Sequence, residues 1–191
     1  MKVYETILSI LDEKGPLPIP AICQEVNHVL SSNREKPILP AQIISIVTRK
    51  KDLFRVNGGR ISIHPDKFPF SLIASLESFG DISYQVRVNF VKNRFAALVW
   101  RNKENLQPFS DFQAIVHGDL EEFKRELYSM NIWEWKPTYR SEDGIIIEGK
   151  YWSVKLITKG KVYVSEGTKS FPENWDQFCN AVEKLTGTPF H

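Results

Sequence analysis

Between residues 40 and 63 the apolar period switches from helical to alternating, and a glycine turn follows the switch. Leu39, Ile43, Ile46 and Val47 recur at helical spacing and predict a buried stripe behind Pro40, which suits a first helical position because its missing N–H costs nothing there. Gln42, Ser45, Arg49 and Lys50 fall on the other side. Leu53-Phe54-Arg55-Val56 then reads as a strand, Asn57-Gly58-Gly59 as a tight turn, and Arg60-Ile61-Ser62-Ile63 as the returning strand. Asn-Gly and Gly-Gly supply the positive φ angles that a hairpin turn demands.

Two shorter helical patterns precede this one. Tyr4, Ile7, Leu8 and Leu11 define an amphipathic helix that Gly15-Pro16 ends. The stretch from Gly15 to Pro20 must be extended or turning, since each proline disfavours helix in the residue before it. Ile19, Ile22, Cys23, Val26 and Leu30 share one face of a second helix, and Ser31 to Lys36 reads as a loop.

The order helix, helix, helix, hairpin is that of a winged helix-turn-helix. Residues 7–26 (ILSILDEKGPLPIPAICQEV) and 40–63 (PAQIISIVTRKKDLFRVNGGRISI) resemble the HARE-type winged helix, with its Gly/Pro kink, the basic end of its third helix and its F-R-V-x-x-G-x-aliphatic wing. That family occurs in a small accessory subunit of bacterial RNA polymerase, in chromatin regulators and beside restriction enzymes. The resemblance implies double-stranded DNA as partner, with the third helix in the major groove and the wing on the backbone. Gln42 and Ser45 would reach base edges, and Arg49, Lys50, Lys51, Arg55, Asn57 and Arg60 would complete the contact surface, its cations on phosphate. Ile44 points elsewhere: an aliphatic beside the exposed face favours docking on protein. The charge is mild as well. Residues 1–67 hold ten Lys/Arg less seven Asp/Glu, a net +3, which assists phosphate binding without driving it alone.

His64 to Pro69 carries two prolines and marks the boundary of the first domain, residues 1–67. Phe70 to Phe79 reads as a helix, so residues 68–80 are expected to form a connecting helix. From Asp81 the pattern is mostly strand: Ile82 to Val88 alternates, and Phe95 to Trp100 is a more continuous apolar run. Asp119 with Glu122 reads as the capping start of a helix containing Phe123 and Leu127. Strand alternation would put Trp133, Trp135, Pro137 and Tyr139 on one side. Asp143-Gly144 is a turn signal and Ile145-Ile146-Ile147 a short strand. Tyr151 to Ile157 reads as a strand with Trp152, Val154 and Leu156 on one face, Lys159-Gly160 closes a hairpin, and Trp175, Phe178, Val182 and Leu185 mark a last helix. The expectation for residues 81–191 is an α+β domain, an antiparallel sheet with two helices packed on one face. Trp133, Trp135, Tyr139 and Trp152 either fill its core or line a ligand pocket.

Chemistry-bearing patterns are sparse. His28, His64, His117 and His191 are scattered, and no Cys-x-x-Cys or His-x-x-x-His spacing occurs, so no metal or cofactor is expected. No phosphate loop or nucleophile elbow is present. Asp143 with Glu148-Gly149-Lys150 has the short spacing of a metal-dependent nuclease, yet Gly149-Lys150 reads better as turn chemistry. Cys23 and Cys179 read as reduced, packed thiols. No apolar run approaches the roughly 20 residues that span a bilayer, and the N-terminus lacks a secretory pattern. The expectation is a non-enzymatic, cytoplasmic, DNA-binding regulator of bacterial or phage type. An interaction adaptor of a polymerase, restriction or phage-related complex is the alternative, and a nuclease the third.

Overall fold

In a computed structural model, residues 2–31, 36–78, 82–101, 118–140 and 150–190 are described. Three expectations lie wholly or largely outside them: the loop after Ser31, the Asp143-Gly144 turn and the isoleucine strand. The described residues form a mixed α+β structure of five α-helices and two sheets. They divide into two compact units, Met1–Phe68 and Pro69–His191.

The first unit begins with α1 (Val3–Lys14), which ends at Gly15 with φ 75°. Leu17–Pro18 forms a short strand, β1, that runs directly into α2 (Ile19–Leu30). After α3 (Pro40–Arg49) come β2 (Phe54–Asn57) and β3 (Arg60–Ile63). Asn57 pairs with Arg60, and Gly58 and Gly59 between them have φ 55° and 73°, the two positive angles a primed two-residue turn requires. The extended stretch before α2 is thus a third strand, in the order β1-β3-β2, with Leu17 opposite Ile61. Ile7, Leu8, Ile22, Val26, Ile43, Leu53 and Ile61 are buried together as this unit's core. A Lys14–Glu25 ion pair of 2.6 Å links α1 to α2 at the surface.

One detail of the expected α3 stripe is wrong. Leu39 is 59% exposed and Ile38 is buried in its place. The Asn27 side chain explains this. Its Oδ1 accepts the Ile38 N–H at 2.7 Å and its Nδ2 donates to the Ile38 carbonyl at 2.9 Å. With Ile38 held inward in extended backbone, its neighbour must point out.

The second unit contains β4 (Pro69–Ser78), β5 (Ile82–Asn89), β6 (Arg94–Arg101), α4 (Leu120–Met130), β7 (Thr138–Arg140), β8 (Lys150–Thr158), β9 (Val162–Thr168) and α5 (Trp175–Thr186). The connecting helix expected over 68–80 is strand β4. Leu72, Ala74 and Leu76 face inward at a spacing of two. β4 takes its hydrogen bonds from both sides, pairing with β5 and β8 in the sheet order β6-β5-β4-β8-β9-β7. All pairs are antiparallel except β7 with β9. The register assigns Leu72, Val88 and Leu156 to one row, and Ala74, Val86 and Val154 to the next. These two rows are buried. Rings on this side meet the helices: Phe90 stacks on Phe123 of α4, and Trp152 lies 4.6 Å from Trp175 of α5. Asp119 caps α4 by accepting the Glu121 N–H at 2.8 Å. Both helices therefore cover one face of the sheet. Cys23 and Cys179 are free and buried.

Candidate nucleic-acid interface

Helix α3 shows solvent a face whose axis is Ala41, Ser45 and Thr48, all exposed. Gln42 and Arg49 flank it on one side and Ile44 on the other. The outward ridge is small, so another molecule can approach the helix backbone closely. Ala41 and Thr48 did not stand out in the sequence, because neither residue type is diagnostic. The helical wheel around Ser45 was the available signal.

The flanking side chains are partly committed. Gln42 Oε1 accepts the Leu39 N–H at 2.9 Å, closing the start of α3, which leaves its amide donor for an outside partner. Arg49 Nε donates to the Ser45 carbonyl at 3.3 Å, holding the guanidinium along the last turn. Lys50 is half-buried, its ammonium 5.1 Å from the Tyr4 ring centroid. It serves α1–α3 packing more than the surface. Lys51, Arg55 and Asn57 are exposed. Arg60 is exposed too, with Nη1 donating to the Pro16 carbonyl at 3.2 Å, so the hairpin is tied to the turn before β1. Ile44 is 48% exposed and Val56, on β2, 61%. Beside α3 lies a concavity of about 220 Å³ lined by Val3, Ile38, Gln42, Ser45, Ile46 and Arg49. Gln42, Ser45 and Arg49 thus share one border.

The four aromatics of the second unit do not converge as one strand face. Trp133 lies in a 3-10 turn, Ile132–Glu134, and makes an edge contact with Tyr128 at 5.8 Å. Trp135 instead meets Trp152, Trp175 and Phe178 at 6.1, 6.0 and 5.4 Å. Its indole N–H donates to Asn174 Oδ1 at 2.7 Å, and Asn174 in turn donates to the Met130 carbonyl. Tyr139, on β7, lies 5.5 Å from Trp152. Trp152 is fully buried, with its N–H on the Ser170 carbonyl at 2.9 Å. This packed cluster ties the sheet to α5.

Of the nuclease-type residues, Asp143 and Glu148 lie outside the described residues, and Lys150 is exposed at the start of β8. Among the described residues there is no group of three or more potential metal ligands, and no helix long and apolar enough to cross a membrane. Two acidic protons are held unusually tightly. Burial, followed by the Asp176 charge, pushes the Cys179 thiol up to about 12. Burial, followed by its hydrogen bond to Glu166, pushes the Tyr151 phenol up to about 12. The chain matches no protein-family model, and no curated protein or solved structure is detectably similar to it.

Proposed function

We propose that the first unit is a winged helix of HARE type and that the chain is a non-enzymatic, cytoplasmic regulator binding duplex DNA through α3 and the β2–β3 hairpin. The segregation of charge carries this reading. Residues 40–60 hold five Lys/Arg less one Asp, a net +4, whereas Glu5, Asp12, Glu13 and Glu25 sit on α1 and α2. The net positive charge of the unit therefore falls on the stretch of chain that forms α3 and the hairpin. The small ridge of Ala41, Ser45 and Thr48 fits the close approach that groove insertion needs, and the flanking cations suit phosphate. Gln42 contributes its amide donor, and Lys50 belongs to the scaffold.

Fluorescence anisotropy with a labelled duplex of about 20 base pairs tests this. Arg49→Glu combined with Lys51→Glu is expected to weaken binding at least about tenfold while the helical signal persists. Absence of binding by the wild type at low salt would overturn the reading.

The exposure of Ile44 favours a second reading, a protein-docking adaptor of a polymerase, restriction or phage-related complex. Ile44→Asp separates the two. The DNA reading predicts a smaller loss of duplex affinity than the charge reversals cause. The adaptor reading predicts an unchanged duplex affinity with loss of a co-purifying protein.

A further inference from the structure

The two helices of the second unit cover one face of its sheet, and the opposite face carries a different chemistry. The register puts Arg87 on β5, Ile73 on β4 and Lys155 on β8 side by side across that face. Arg94 and Arg140 extend it toward the outer strands β6 and β7. All four cations are exposed, while among the described residues the acidic side chains of the same face, Glu77 and Glu166, are half-buried. The exposed charges of the face are thus cationic, and Val162 and Val164 beside Lys155 give it an exposed apolar strip.

Two of its side chains are held in place. Arg87 Nε donates to Gln85 Oε1 at 2.8 Å, and Gln85 Nε2 donates to Ser75 Oγ at 3.0 Å, so the guanidinium is tethered over β5 with its other donors available. The Tyr151 hydroxyl donates to Glu166 Oε2 at 2.8 Å, fixing an aromatic ring across β8 and β9 in a residue that is 37% exposed. That bond also engages one of the two carboxylates. Glu77 lies opposite Tyr151, and Ile73 opposite Arg87, four residues along β4. The two tethered groups are therefore about 13 Å apart along the strands and about 10 Å across them. That interval suits a few nucleotides of an extended strand.

We propose that this open face binds single-stranded nucleic acid, with Tyr151 and Arg87 as stacking planes for bases and Arg87, Lys155, Arg94 and Arg140 facing the phosphates. Unstacked bases offer π faces that rings and guanidinium planes accept without regard to sequence, and their backbone is anionic. A duplex hides those faces, so the site discriminates by strandedness. The proposal does not depend on the duplex-binding role of the first unit.

The test uses the full chain carrying Arg49→Glu and Lys51→Glu, which removes the first unit's cationic face. Labelled oligo-dT and oligo-U of about 15 nucleotides are titrated at low salt. This protein is expected to retain single-strand binding. Adding Arg87→Glu with Lys155→Glu weakens it at least about tenfold, Tyr151→Ala about fivefold or more, and Tyr151→Phe, which keeps the ring, less than about threefold. Oligonucleotides containing 5-iodouracil are expected to crosslink at Tyr151. No single-strand binding in the Arg49/Lys51 background, crosslinks confined to residues 40–60, or equal binding of a polyglutamate peptide would each overturn the proposal. Arg87→Gln with Lys155→Gln, judged by its thermal transition, guards against a folding defect; wild-type single-strand affinity in that variant would also overturn it.

Discussion

Asn27 shows how much can rest on one amide. It satisfies both backbone groups of Ile38, eleven residues away, and so decides that Ile38 rather than Leu39 enters the core. Asn27→Ala should cost about 1–3 kcal/mol in urea unfolding, because it strands the buried Ile38 N–H and leaves the Ile38 carbonyl only the weak Cys23 thiol donor at 3.1 Å. A loss below about 0.5 kcal/mol would show that water replaces the amide freely. Helical spacing alone could not choose between Ile38 and Leu39, since a side chain far along the sequence makes the choice. Cys179 offers a pH test. Its folded pKa is raised to about 12 from an ordinary 9.0, so the folded chain keeps a proton that the unfolded chain loses. The stability from this group is complete below the unfolded pKa and falls as pH rises toward the folded one, by at most about 1.4 kcal/mol per pH unit. Thermal midpoints should therefore drop less between pH about 9 and 11 in Cys179→Ala than in the wild type. Parallel curves would contradict the assigned cause.

At the scale of elements, strong periods and turn chemistry were the legible features. The helices of the first unit, the Gly58-Gly59 hairpin and the inward row of β8 all follow from them. β4 is ambiguous in the sequence because Phe70, Ile73, Ala74 and Leu76 fit a broad helical face as readily as Leu72, Ala74 and Leu76 fit a strand. Pairing with both β5 and β8 decides the matter, and that is a long-range fact. The aromatic segment failed differently. Its alternation is real in the letters, but the turn at Ile132–Glu134 sends Trp133 and Trp135 into separate clusters. Gly167, in β9, marks how tightly the second cluster is sealed. A Cβ there would lie 2.8 Å from the Ser170 carbonyl, the Tyr139 carbonyl and Trp152 Nε1. Gly167→Ala should destabilise the second unit by about 1–3 kcal/mol through overpacking, with altered near-ultraviolet dichroism from the tryptophans. A wild-type spectrum and midpoint would show that the sheet edge gives way.

At the scale of the whole molecule, the two proposed interfaces, one on each unit, rest on charge and exposure. The cations near α3 were visible in the sequence. Averaged over residues 1–67 they are offset by the acids of α1 and α2, Glu5, Asp12, Glu13 and Glu25. The cations of the open sheet face were not legible at all, because Arg87, Arg140 and Lys155 are far apart in the chain and meet only through strand order.

Duplex binding through α3 and the hairpin is tested by the salt dependence of the full chain's affinity. With Arg49, Lys51, Arg55 and Arg60 on phosphates, log Kobs should fall against log salt with a slope of roughly −3 to −4, and Arg49→Glu with Lys51→Glu should make it shallower by about 2. A flat slope, or one that the charge reversals leave unchanged, would contradict the placement of DNA on α3 and the hairpin.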